Sequence, residues 1–181
     1  MAMKTPLYSL LLFALLFIGS CTSDADNESP HLVLANTEWQ LLEASLTGRG
    51  TAVVPGSSTS VPVNIDGKGE DYNMTLFFGD GDQLLSAAGS FVFDVEVSAL
   101  GIPLESEKVT IEGVEIFSGN WELIGDELVI TDNEEVVILE VVDNSETMLK
   151  LKGGIDASDF ERLQEEGLTV SESSIEIVLV K

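Results

Sequence analysis

The chain has one cysteine, one histidine and only 8 basic residues in a length of 181. A lone cysteine excludes an intrachain disulfide framework. With a single histidine beside it, it cannot supply the ligand set of a Cys/His zinc site. Against the 8 Lys and Arg stand 32 Asp and Glu, giving a formal net charge of −24. Nucleic-acid affinity rests on neutralised phosphates, so this balance argues against a nucleic-acid partner, and equally against a polybasic membrane-surface protein. What is present is apolar: 44% of residues are hydrophobic and the mean hydropathy is +0.24. A chain of that kind buries a core and is no acidic disordered tail. Its length suits one domain with appendages.

The N-terminus reads as an address. Lys4 precedes Leu7–Ile18, twelve residues in which only Tyr8 and Ser9 carry polar atoms. As a helix that run spans about 18 Å, well short of the roughly 30 Å hydrocarbon core, so it reads as a secretory signal and not a membrane span. Ile18-Gly19-Ser20-Cys21 follows directly and resembles the bacterial lipobox. That resemblance implies cleavage before Cys21, whose thiol then carries a diacylglyceryl group, so that acyl chains such as palmitate form a membrane anchor. Two or more acyl chains hold stably, since each buried methylene contributes about 0.8 kcal/mol. Residues 1–20 are therefore the expected signal peptide and 21–35 an acidic tether. The barrel domain is expected over 36–181. Asp24, Asp26 and Glu28 in the tether resemble, loosely, the surface-export signals of Bacteroidetes lipoproteins. The expected location is the outer membrane of a bacterial envelope, with surface exposure.

Beyond residue 36 the dominant period is two. Phe91, Phe93, Val95 and Val97 share one face of Ser90–Ser98; Tyr72, Met74, Leu76 and Phe78 share another; Ile175, Ile177 and Leu179 a third. Such alternation predicts half-buried strands around one core. Gly125-Asp126 predicts a two-residue hairpin between Asn120–Ile124 and Glu127–Thr131. Trp121/Leu123, Leu128/Ile130, Val137/Leu139/Val141 and Leu149/Leu151 then give a meander of short strands. Upstream, a first strand is expected over Thr37–Leu46, a loop over Gly48–Ser60 and a strand through Val61, Val63 and Ile65. Gly113 switches the apolar phase within Val109–Phe117, which predicts a bulge or strand bend. One short helix is expected near the C-terminus, over Asp156–Gly167, with Ser158 and Glu161 forming a capping box. The fold class is all-β, a small antiparallel meander barrel of about eight to ten strands.

Several of these pieces together resemble the lipocalin-like lipoproteins of Bacteroidetes, particularly flavobacteria. The carrying residues are the lipobox, Trp39 opening the first strand and the strand at Gly89-Ser90-Phe91-Val92-Phe93. The hairpin at Ser118-Gly119-Asn120-Trp121 and Leu149-Lys150-Leu151-Lys152 complete the set. The resemblance implies a small barrel with a cavity for an apolar ligand. It departs from true lipocalins at Thr37, where their Gly before the first-strand Trp is missing.

Catalysis finds little material. The only histidine, His31, falls in the tether, so no His-based triad can form in the barrel. Asp94 and Glu96 share a strand's outer face at about 7 Å, yet among 32 carboxylates such a pair is ordinary. Gly79-Asp80-Gly81-Asp82 and Asp66-Gly67-Lys68-Gly69-Glu70-Asp71 are oxygen-rich. Neither keeps the EF-hand spacing, and both are read as turns. No catalytic residue, metal or cofactor is expected. The expectation is a non-catalytic lipoprotein binding a small hydrophobic ligand, with Tyr72, Phe78, Phe91, Phe93 and Trp121 as candidate cavity residues. The alternative is a structural or interaction lipoprotein with a filled core and an envelope protein as partner.

Overall fold

The computed structural model describes residues 34–54, 56, 58–133, 135–154 and 167–181. The expected signal segment, Cys21, the expected tether as far as residue 33 with His31, and residues 156–166 of the helix expected over Asp156–Gly167 lie outside the described residues. Nine antiparallel strands make up nearly all of the rest: β1 (Thr37–Val53), β2 (Ser60–Phe78), β3 (Leu84–Ala99), β4 (Ile102–Glu112), β5 (Gly119–Ile124), β6 (Glu127–Asp132), β7 (Glu135–Asn144), β8 (Met148–Gly154) and β9 (Leu168–Val180). A single helical turn, α1 (Gly113–Ile116), separates β4 from β5.

Consecutive strands pair as hairpins except β4 and β5, and β9 returns to β1, so the sheet closes on itself. The ring is completed at an unusual joint. β3 pairs with β4 from Ser90 to Ala99, but its first two residues, Leu84 and Leu85, pair with Asn120 and Gly119 of β5. Eight strands therefore form the ring, and β4 stands beside it, hydrogen-bonded to β3 alone among the described residues. The strands are strongly staggered. Thr37 leads through Phe78 and Leu85 to Gly119 at the β5 start, beside the beginning of β7. Leu41, in the other direction, leads through Leu179 and Leu149 to Asn144 at the end of β7. Such stagger is what tilts strands in a closed barrel.

The inward phases agree with the sequence periodicity: Met74, Leu76 and Phe78, then Phe91, Phe93, Val95 and Val97, then Ile175, Ile177 and Leu179 are all buried. The Gly125-Asp126 hairpin forms as expected, with Ile124 opposite Glu127 and Gly125 at φ 64°. A glycine at the first of two loop residues suits a turn whose twist matches the strands it joins.

Three local expectations are corrected. The loop expected over Gly48–Ser60 is largely strand, because β1 runs on to Val53 and pairs with β2 as far as Ser60. The run Asp66–Asp71 is not a turn but the interior of β2. Gly67 and Gly69 lie under the side chains of Leu46 and Tyr72, which occupy the space a Cβ would need. Asp71, at φ 52°, marks a bulge at that point. Finally, the phase switch at Gly113 is made by the helical turn α1 and not by a bulge within one strand.

Candidate functional site

The barrel interior differs along its length. One end is packed solid. Trp39, Phe78 and Trp121 are at most 1% exposed there, together with Leu76, Leu85, Leu149 and Leu179. The Trp121 ring stands edge-on to Phe78 with centroids 5.4 Å apart, and its indole N–H donates to the Gly79 carbonyl at 3.0 Å. Trp39 donates to the Thr37 hydroxyl at 2.7 Å. Both indoles thus satisfy their one polar atom while burying the rest, the condition under which tryptophan is stable in a core.

Toward the other end the interior opens into a cavity of about 740 Å³. Its apolar wall comes from Phe93, Val95 and Val97 on β3, Val137 and Leu139 on β7, and Ile175 and Ile177 on β9. The cause is topological. Among the described residues β4 pairs with β3 only, so no backbone ladder joins β4 to β7. Val109 and Ile111 of β4 and Ile116 of α1 line that side. The lining also includes the exposed side chains of Glu105, Val109, Glu115 and Glu135, so the cavity reaches the surface. Its size falls within the roughly 300–1,000 Å³ of small-molecule sites, which are mostly apolar with a few polar groups.

Of the five aromatic residues singled out from the sequence, Phe93 lines this cavity. Phe91 packs behind it, with ring centroids 4.9 Å apart, and Tyr72 stacks on Phe91 at 6.2 Å. Phe78 and Trp121 belong to the packed end. The lining residues that sequence reasoning did not single out lie on β1, the rest of β3, β4, α1 and Phe117 just after it, β7, β8 and β9. Their inward phase was legible, as in Val137/Leu139 and Ile175/Ile177. Which stretch of the interior stays empty was not, because that depends on where β4 leaves the ring.

The glutamates among the lining follow from register. Val97 faces Glu105, Val95 faces Glu107 and Phe93 faces Val109 across the β3–β4 pair. Opposed residues share a sheet face, so Glu105 and Glu107 stand at positions of the inward phase. Lys108 has the opposite phase, facing Asp94. Its ammonium lies 2.6 Å from Glu70 and 3.9 Å from Asp94 on the outer surface. The hydrogen bond to Glu70, with that residue's charge, raises the Lys108 pKa above 10.5.

Asp94 and Glu96 also lie on the outside of β3, where Asp94 accepts a hydrogen bond from the Ser106 hydroxyl at 3.1 Å. Gly79–Asp82 forms the β2–β3 turn, with the Gln83 N–H donating to the Asp80 carbonyl. Among the described residues no group of three or more His, Cys, Asp or Glu is arranged to hold a metal ion. Comparison with protein-family models, with curated proteins and with solved structures returned no match.

Proposed function

We propose that the chain is a lipid-anchored lipoprotein of a bacterial envelope whose barrel binds a small hydrophobic molecule without converting it. The observation that carries the binding half is the apolar cavity of about 740 Å³ that reaches the surface between β4 and β7. An interior of this kind favours an apolar guest, since filling it removes both ligand and wall from water. Support for the anchor comes from Ile18-Gly19-Ser20-Cys21 directly after the short apolar run. The non-catalytic reading is supported by the chemistry available: the only histidine is His31, before the first strand.

Native mass spectrometry of protein purified without detergent tests the binding half. A retained small-molecule adduct that organic extraction removes is expected; a protein that holds no adduct and takes up no apolar probe sinks it. For the anchor, the N-terminal peptide should carry the mass of acyl chains on Cys21, and Cys21→Ser should release the protein from the membrane fraction. An unmodified Cys21 peptide would end that part of the reading.

A second reading, as an interaction protein, is favoured by apolar side chains outside the barrel. Val136, Ile138 and Val142 are each about half exposed on β7, and Leu100 at the β3–β4 turn is 89% exposed. Crosslinking in cells should then capture one envelope protein, and polar substitutions at these positions should abolish the capture.

A further inference from the structure

We propose that two hairpin tips at the hollow end of the barrel seat in the surface of a lipid bilayer, as a second membrane contact beside the lipid anchor. The inference rests on the reading of the chain as membrane-anchored and adds where the folded body touches the bilayer. Register brings the two tips together. Val53 faces Ser60 at the β1–β2 tip, and Ala99 faces Ile102 at the β3–β4 tip. Asn64 of β2 faces Ser98 of β3, so both tips project from one end, beside the Val97 wall of the cavity. Their composition departs from that of the other turns. Gly50–Ile65 and Val97–Leu104 contain no charged residue, whereas the β2–β3, β5–β6, β6–β7 and β7–β8 connections carry acids, among them Asp82, Asp126, Asp132 and Glu146. Leu100, Ile102 and Leu104 are exposed on one tip, Leu100 by 89%, and Val53 and Val54 on the other. Leu100 and Gly101 form a two-residue turn with φ 52° and 77°. Asn, Asp or Gly meets that demand readily, and leucine does so only under strain. A strained leucine at the tip gains when its side chain leaves water.

A bilayer fits these tips better than a protein face does. Their side chains are aliphatic and sit on projecting turns, without the aromatic and arginine anchors that dominate protein interfaces. Apolar side chains at the boundary of headgroups and acyl chains gain with buried area and need no shaped partner. The uncharged flanks can enter that boundary, and Glu96 and Asp66 behind them limit the depth. The chain ahead of the fold supplies proximity. Cys21 lies thirteen residues before Leu34, a reach of at most about 45 Å. β1 has 17 residues, which gives about 40 Å along the axis of a barrel with tilted strands. An anchor joined to the start of β1 therefore lets the tips at its far end reach the same bilayer. Such tethering raises the effective concentration, so a weak contact is populated.

Leu100→Trp places a fluorescent reporter on the tip, since Trp39 and Trp121 are at most 1% exposed in the packed end. Ile138→Trp places the same reporter on the exposed outer face of β7. Each full-chain variant is purified and mixed with phosphatidylcholine vesicles, with and without brominated acyl chains. Emission at position 100 should shift to the blue and be quenched several-fold more by brominated lipid than emission at 138. Adding Ile102→Ser and Leu104→Ser should reduce the quenching at 100 several-fold. No quenching at 100, or equal quenching at both positions, overturns the tip contact. A blue shift without lipid that grows with protein concentration overturns it too, because the tips then bury against a second copy. The acyl mass on Cys21, measured in the same preparation, tests the anchor separately. Quenching at 100 on an unmodified chain keeps the tip contact and ends the anchor reading; an acylated chain without quenching does the reverse.

Discussion

The Tyr72 hydroxyl accepts the backbone N–H of Ala44 at 3.1 Å. Both residues sit where the β1–β2 ladder is irregular, between Gln40 and Ser45 on one strand and around Asp71 on the other. At such a bulge one backbone group is left without a ladder partner. A side chain from the neighbouring strand supplies it here, over the space left by Gly69.

Tyr72→Phe should therefore destabilise the barrel by about 1–2 kcal/mol, the cost of leaving a part-buried N–H unpaired. The drop in denaturation midpoint checks it. Gly69→Ala, whose Cβ would come within 2.5 Å of the same hydroxyl, should be destabilising too. Because both changes disturb one contact, the double variant should cost less than their sum.

The two ends of the interior should respond differently to truncation. Trp121→Ala removes a side chain enclosed by Phe78 and bonded to Gly79, and should cost about 3–5 kcal/mol. Val97→Ala takes methyl groups from a wall that already faces open space, and should cost about 1 kcal/mol. Equal losses in urea titrations would mean that the interior is uniformly packed.

Filling the cavity should separate binding from stability. Val137→Phe directs a larger apolar group into the space between β4 and β7. Retained adducts in native mass spectra should disappear while the melting temperature is held or rises. A large fall in melting temperature would indicate that the wall is tightly packed at that point.

The pairing of Lys108 has a defined pH sign. Its folded pKa is raised above 10.5, chiefly by the hydrogen bond to Glu70. The stabilisation is thus complete below the unfolded lysine pKa and is lost as pH rises through the higher folded value. Melting curves of the wild type and Lys108→Gln, recorded on either side of 10.5, should differ at the lower pH and converge at the higher. The group is fully exposed, so the difference should be small and should shrink in salt.

Salt should act on the whole molecule in the other direction. With a net charge of −24, repulsion among surface carboxylates opposes the compact state. Raising sodium chloride at neutral pH should increase the melting temperature before any specific anion effect enters. A fall would show that attractive pairs such as Lys150–Glu176, at 2.8 Å, outweigh the repulsion.

How much of this could be seen in the chain itself varies by element. Alternation is local, so Phe91/Phe93/Val95/Val97 and Ile175/Ile177/Leu179 declared both their strand and its buried face. The Gly125-Asp126 loop declared a hairpin because the turn and its two strands are neighbours in sequence. The stretch Asp66–Asp71 misleads for the converse reason. Its glycines resemble turn residues, yet their role is to make room for Leu46 and Tyr72, and that is invisible until β1 and β2 are side by side.

The sequence by itself determined the strand-forming segments, their inward faces, the acidic outer surface and the N-terminal pattern that suggests a lipid anchor. These depend on residue type and on spacing along one segment. Only the tertiary structure decided where the barrel is solid and where it is hollow. That outcome turns on a pairing between residues far apart: β5 takes Leu84 and Leu85, while β4 keeps Ser90–Ala99 of β3 and stands aside from the ring. The same register brings Glu105 and Glu107 to the cavity side and sends Lys108 outward. Hydrogen-bond register across a sheet is a relation between strands, and no single strand contains it.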